Sequence, residues 1–149
     1  MKMIDVGAKP ATERVAVARG IVEMSRATLG LVRRGEVEKG DVIAAARLAG
    51  VMAAKRTPDI VPLCHPIALS GVEVEVAPRA TGLEVTATVR TVDRTGVEME
   101  ALAAVSAGCL TIYDMLKRHE RGMRIAGIAL LEKKGGRSGH WKRKGSGRR

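Results

Sequence analysis

The sequence has 149 residues, the length of one domain, and a chain of that size buries roughly 70% of the surface it exposes when unfolded. Aromatic residues are 1% of it, Phe is absent, and only Tyr113 and Trp141 remain, so the core must come from Val, Leu, Ile, Ala and Met. The net charge of +10 is unevenly placed: residues 133–149 hold eight Lys/Arg and no acid, leaving 18 basic against 16 acidic residues elsewhere. A near-neutral body with no aromatic strand residues for base stacking argues against a nucleic-acid-binding sheet.

Two distant cysteines, Cys64 and Cys109, lack CxxC spacing, which argues against a disulfide framework and against a thiolate zinc site. Free thiols fit a reducing compartment. No unbroken apolar run reaches the roughly 20 residues a bilayer span needs, and MKMIDVGAKP has no apolar signal core. The expected location is the cytoplasm.

In chain order, residues 12–34 read as an amphipathic helix. Thr12 is the candidate cap, and Val15, Ala18, Val22, Ser25, Leu29 and Val32 follow a three-four spacing. Asp41 can cap a second helix over about 42–55. That segment is apolar nearly all round, so it requires cover on several sides, and another subunit is a source of it. Thr57-Pro58-Asp59 predicts a short helical start.

Val72, Val74 and Val76, then Leu83, Val85, Ala87 and Val89, alternate with polar residues and predict two strands joined by a turn at 78–82. Thr95-Gly96-Val97-Glu98 matches a capping box opening a long helix to about Arg121. Its buried stripe would be Leu102, Val105, Cys109, Ile112 and Leu116. A last strand is expected over 124–132. The sum is an α+β fold of ferredoxin-like arrangement, an antiparallel sheet with helices packed on one face. After Trp141 the chain reads as a basic, flexible tail over 142–149.

Few residues stand out as chemistry. Asp114 and Lys117 are helical neighbours at i,i+3. They read first as an exposed ion pair, and second as a carboxylate beside an amine, suited to proton transfer if partly desolvated. Glu98 has a structural role in the capping box, whereas Glu100 has none that the pattern supplies. His65 lies in Leu63-Cys64-His65-Pro66, stiffened by Pro62 and Pro66. It reads as a structural hydrogen-bonding group or as a group that must be held still. With Cys64 alone beside it there are too few ligands for a metal. Lys39 precedes a helix start as an ordinary surface lysine would. Gly135-Gly136-Arg137-Ser138-Gly139 can approach phosphates closely, although it is not a Walker loop.

Several strings together are more specific. KGDVIAAARLAGVMAAKRTPDIVPLCHPIALSGVEVEV and TGVEMEALAAVSAGCLTIYDMLK resemble the two central signatures of the MoaC family. MIDVGAKPATERVAVARG and LLEKKGGRSG resemble its ends, so the likeness spans about residues 3–139. Gly7 stands where many relatives have Ser, and Arg137 where many have Lys.

The resemblance implies a lyase of molybdenum cofactor biosynthesis. Such an enzyme converts (8S)-3′,8-cyclo-7,8-dihydroguanosine 5′-triphosphate into cyclic pyranopterin monophosphate and releases pyrophosphate. It implies no cofactor and no metal, a ferredoxin-like fold, and a homohexamer built as a trimer of dimers with sites between subunits. It also implies one catalytic domain over 1–141, with Asp114, Lys117 and Lys39 catalytic. Leu63, Cys64, His65, Met99 and Glu100 would bind substrate, with Glu98, Arg14, Lys9 and Lys133 close by. The expected partners are the small-molecule cyclic dihydro-GTP and further copies of the chain, with no membrane and no nucleic acid. Two other classes compete, a small basic RNA-binding protein favoured by the tail and a purely structural oligomer favoured by the apolar second helix. Against the first stand the near-neutral body and the lack of strand aromatics, and the second gives no role to the LCHP loop or to the Asp114–Lys117 pair.

Overall fold

Alternation, not helical spacing, governs the first apolar segment. Residues Thr12–Glu23 form strand β1, with Arg14, Ala16, Ala18, Gly20 and Val22 buried in turn. The expected helix over 12–34 is therefore corrected to a strand followed by a shorter helix. Val15, Ala18 and Val22 keep a helical spacing, yet in the strand Val15 lies on the opposite face from Ala18 and Val22, and small Ala16 and Gly20 fill the buried alternation. What decides is pairing on both sides of β1, which local spacing does not contain. Thr12 opens the strand instead of capping a helix. The cap is Ser25, whose Oγ accepts from the Thr28 N–H at 3.2 Å, and α1 runs Arg26–Arg34.

The computed structural model describes residues 1–145. After α1 come α2 (Val42–Lys55), α3 (Thr57–Ile60), β2 (Leu69–Arg79), β3 (Gly82–Asp93), α4 (Glu98–Leu116), β4 (Arg124–Lys134) and β5 (Trp141–Lys142). The sheet order is β2-β3-β1-β4-β5 with every pair antiparallel. Strands β1 and β2 thus run parallel with β3 between them, and β3 and β4 run parallel with β1 between them. These two interleaved βαβ units are the ferredoxin-like arrangement. Both crossovers place helices on one face, as expected.

The core lies between that face and the helices. Ala16, Ala18, Val22, Leu83, Val85, Ala87 and Val89 meet Ala101, Ala104, Val105, Cys109, Ile112 and Leu116. Fully burying each Val, Leu or Ile stabilises the fold by about 1.5–3 kcal/mol relative to exposure. Small residues let α2 and α4 approach closely. A Cβ on Gly50 would stand 3.0 Å from the Ala104 carbonyl oxygen, and one on Gly108 3.4 Å from that of Ala46. Among the described residues α4 alone is long and apolar enough to cross a bilayer, but its apolar stripe is this core. The other side of α2 leaves Leu48 62% and Met52 49% exposed.

The capping box is a second correction. Helix α4 begins at Glu98, its cap residue is Val97, and no side chain caps it. The expected cap at Thr95 therefore falls two residues early, Glu98 is the first helical residue instead of the third, and it is free of the capping role. The helix also ends at Leu116 instead of near Arg121, with Lys117 as its C-cap residue. At the far end Lys142 pairs with Glu132, and the Arg143 N–H donates to the Leu131 carbonyl at 2.8 Å. The last part of the expected tail, residues 146–149, lies outside the described residues.

Candidate active site

The polar residues singled out from the sequence gather in two places, at opposite ends of α4. At its C-terminal end, Asp114 Oδ1 accepts from Lys117 Nζ at 2.7 Å and Oδ2 accepts from Lys39 Nζ at 2.8 Å. Lys39 also donates to the Asp114 carbonyl at 3.1 Å. Local sequence places each group. Lys117 follows Asp114 by one helical turn. Lys39 is delivered by the loop that ends at Asp41, whose Oδ1 caps α2 by accepting from the Ala44 N–H at 2.9 Å. Arg118 ties the same loop to the end of α4 through Glu38 at 2.9 Å. Hydrogen bonds from Lys117 and then Lys39 hold the Asp114 carboxyl well below its ordinary range, at about 2. The set is solvent-facing and carries one net positive charge. Each ammonium keeps donors beyond those given to Asp114, which suits an anionic ligand.

At the N-terminal end of α4 lies a groove of about 480 Å³, bordered by Lys9, Leu63, Cys64, His65, Glu98 and Met99. Behind it Glu100 is 2% exposed, the one deeply buried carboxyl among the described residues. Its Oε1 accepts from the Cys64 thiol at 3.6 Å, while Oε2 is buried without a partner. Burial is the chief reason its pKa is raised. Burial, then the charge and hydrogen bond of Glu100, push the Cys64 thiol up to about 11. A carboxyl whose proton is held more tightly in this way is suited to proton exchange with a bound ligand. His65 Nε2 bonds the Ile4 carbonyl at 2.7 Å.

Lys133, on β4, joins this end with its Nζ 4.0 Å from Glu98 and a bond to Ser138 Oγ. Arg14 sits beside it. The residue is 8% exposed yet pairs with no carboxylate among the described residues; Nε donates to the Asp93 carbonyl at 3.3 Å. The glycine loop closes over it, and Gly136, at φ +78°, leaves no room for a Cβ beside Arg14 Nη1. A nearly buried cation with unfilled donors beside backbone in left-handed turns is an anion cradle in chemical terms.

The structure therefore brings Lys39, Asp114 and Lys117 together. It separately gathers Leu63, Cys64, His65, Lys9, Glu98, Met99, Glu100, Lys133 and Arg14. Glu100 and Asp114 are 14 residues apart on one helix, about 21 Å along its axis. Sequence reasoning missed the arm over residues 1–11 as part of the groove; the signal available was Pro10, which ends an arm with no helical or strand period. It also missed Arg94, whose Nη1 donates to the Gly7 carbonyl at 2.7 Å. No group of three or more His, Cys, Asp or Glu that could hold a metal occurs among the described residues.

Relatives carry the same chain over nearly its whole length. A protein of Thermomicrobium roseum named cyclic pyranopterin monophosphate synthase is 59% identical over 144 residues, covering 95% of this chain and 87% of its own. Proteins of the same name from Cereibacter sphaeroides and Novosphingobium aromaticivorans are 59% and 56% identical, covering 93% and 95% of this chain and 89% and 90% of their own. The sequence profile of the MoaC family matches residues 3–136, and the chain belongs to that family.

Proposed function

We propose that this chain is a cyclic pyranopterin monophosphate synthase, a lyase acting on a small-molecule substrate in molybdenum cofactor biosynthesis. The substrate is the cyclic dihydro-GTP and the products are cyclic pyranopterin monophosphate and pyrophosphate. The observation that carries this reading is the Lys39–Asp114–Lys117 set, two ammoniums on one carboxylate at 2.8 and 2.7 Å, in a chain 59% identical to proteins of that name. Closing the cyclic phosphate requires a substrate hydroxyl oxygen to attack the α-phosphorus. The bond to the β-phosphate oxygen breaks, pyrophosphate leaves, and a base takes the hydroxyl proton. Lysine ammoniums neutralise charge on the departing pyrophosphate. Glu100, Cys64 and His65 supply proton donors and acceptors for opening and rebuilding the purine ring. Arg14, Lys9 and Lys133 grip phosphate oxygens, while Leu63, Met99 and Glu98 shape the groove.

The two clusters lie about 21 Å apart along α4, beyond the reach of one nucleotide's reacting centre. A complete site is therefore built from two chains, the lysine end of one facing the groove of another. The exposed Leu48 and Met52 on α2 supply apolar surface for such contact. The assembly is a homohexamer, a trimer of dimers, in the cytoplasm, with one catalytic domain over 1–141 and a basic tail beyond it. Incubation with the cyclic dihydro-GTP tests the activity. Pyrophosphate and a pterin should appear in equal amounts, whereas pyrophosphate without pterin, or neither product, contradicts the assignment.

A further inference from the structure

We infer that the N-terminal arm, residues 1–11, positions His65 for proton exchange: the Ile4 carbonyl holds the hydrogen on Nε2, so that protons leave and enter through Nδ1. The inference rests on reading the groove as the active site. A carbonyl oxygen only accepts, so the 2.7 Å contact between Ile4 O and His65 Nε2 requires the ring to donate from Nε2. A neutral imidazole otherwise populates both tautomers, and which nitrogen is bare is set by the bond the other makes. In the neutral ring the bare nitrogen is then Nδ1; in the charged ring the proton that departs is the one on Nδ1. That nitrogen has no protein partner among the described residues.

Packing does not explain where the arm lies. Met3 and Ile4 are 50% and 58% exposed, so the arm buries little of its apolar surface. Polar contacts hold it instead. Arg94 Nη1 donates to the Gly7 carbonyl at 2.7 Å, the Gly7 N–H donates to Asp5 Oδ1 at 2.8 Å, and the Lys9 N–H donates to the Val6 carbonyl at 3.0 Å. These bonds bring a backbone carbonyl to a histidine 61 positions away, in a loop already stiffened by Pro62 and Pro66. The arm and the loop together fix the plane of the ring as well as its tautomer.

The test uses the full chain, labelled with nitrogen-15 at histidine, at a pH where the rings are neutral. Loss of the His65→Gln signal identifies the resonance. The wild type should show His65 as the Nε2–H form alone. Removing residues 2–5, which deletes the Ile4 carbonyl, should yield a mixture of both forms. Arg94→Ala, which releases the arm but keeps Lys2 and Lys9, should do the same and lower kcat about tenfold, part of the 10²–10⁴ a placed acid or base contributes. Arg94→Lys should restore much of the rate. In a His65→Gln background the residual turnover should not fall further with Arg94→Ala, since the arm's effect passes through the ring. An unchanged tautomer after removal of residues 2–5 overturns the inference. So does an equal loss of rate in the His65→Gln background. If the wild type turns over no cyclic dihydro-GTP, the functional reading fails, while the tautomer measurement still decides what the arm does.

Discussion

Alanine at Gly136 tests whether the glycine loop presents Arg14 to a phosphate. Gly136 sits at φ +78°, where an L-residue costs about 1–2 kcal/mol. In a domain of this size that lowers the melting temperature by roughly 2–8 °C. The added methyl would also fall on Arg14 Nη1, the far end of a flexible side chain, so the guanidinium moves and the backbone does not. A charge-assisted bond to a phosphate oxygen is worth about 1.5–3 kcal/mol, so KM should rise about ten- to a hundredfold with kcat less affected. Gly127→Ala is the control. Gly127 is at φ +62° with no neighbour within 4 Å of an added Cβ, so it carries a similar backbone cost without touching Arg14. Pyrophosphate release against substrate concentration, beside thermal melts of both variants, separates the two effects. If Gly136→Ala melts like Gly127→Ala and its KM stays within about twofold of wild type, the loop does not present Arg14 to substrate.

Glu100→Gln should stabilise the protein at alkaline pH. Burial raises the folded-state pKa of Glu100, so the native state keeps its proton after the unfolded chain has lost it, and wild-type stability declines as pH rises above the ordinary carboxyl value. The melting-temperature difference between variant and wild type should therefore shrink as pH falls below about 4, and a pH-independent difference contradicts the reasoning. Asp114 has the opposite sign. Its pairing with Lys117 and Lys39 is lost only as pH falls through about 2, so any acidic limb of the rate profile near neutrality belongs to another group. Asp114→Asn, Lys117→Ala and Lys39→Ala should each remove most turnover with little change in melting, because the set faces solvent; near-normal rates in all three refute it. Mixing inactive His65→Ala and Asp114→Asn proteins after gentle dissociation should restore partial activity if sites are shared. Confirmed subunit exchange without recovery removes that reading.

Most of the fold was legible where one signal sufficed. Asp41 with its apolar run set α2, the alternating valines set the β2–β3 hairpin, and Val105, Cys109 and Ile112 set the buried face of α4. The first segment was not legible, because Val15, Ala18 and Val22 keep a helical spacing while the face that is buried runs through Arg14, Ala16 and Gly20, which carry no strong apolar signal, and only pairing with β3 and β4 decides. The missed start of α4 has the same origin: Thr95 has the chemistry of a cap, but the chain turns into helix after it. In the site, the i,i+3 spacing placed Lys117 on Asp114. Lys39, 75 residues away, was reached only through likeness to a family. The Ile4–His65 bond left no trace in sequence, since a backbone carbonyl is the same at every residue.

With no Phe, one Tyr and one Trp, the protein is nearly silent in the near ultraviolet except at two corners. Trp141 is 41% exposed on β5, opposite Lys133, with the Arg143 guanidinium 5.8 Å from its ring centre. Tyr113 donates its hydroxyl to the Arg121 carbonyl at 2.7 Å, beside the lysine end of α4. Indole emission consequently reports the β4–β5 hairpin and scarcely sees the aliphatic core. An emission change on adding pyrophosphate reads movement of the glycine loop almost without background. Loss of the same signal on heating dates the opening of that hairpin, and global unfolding has to be followed by far-ultraviolet dichroism or by heat capacity.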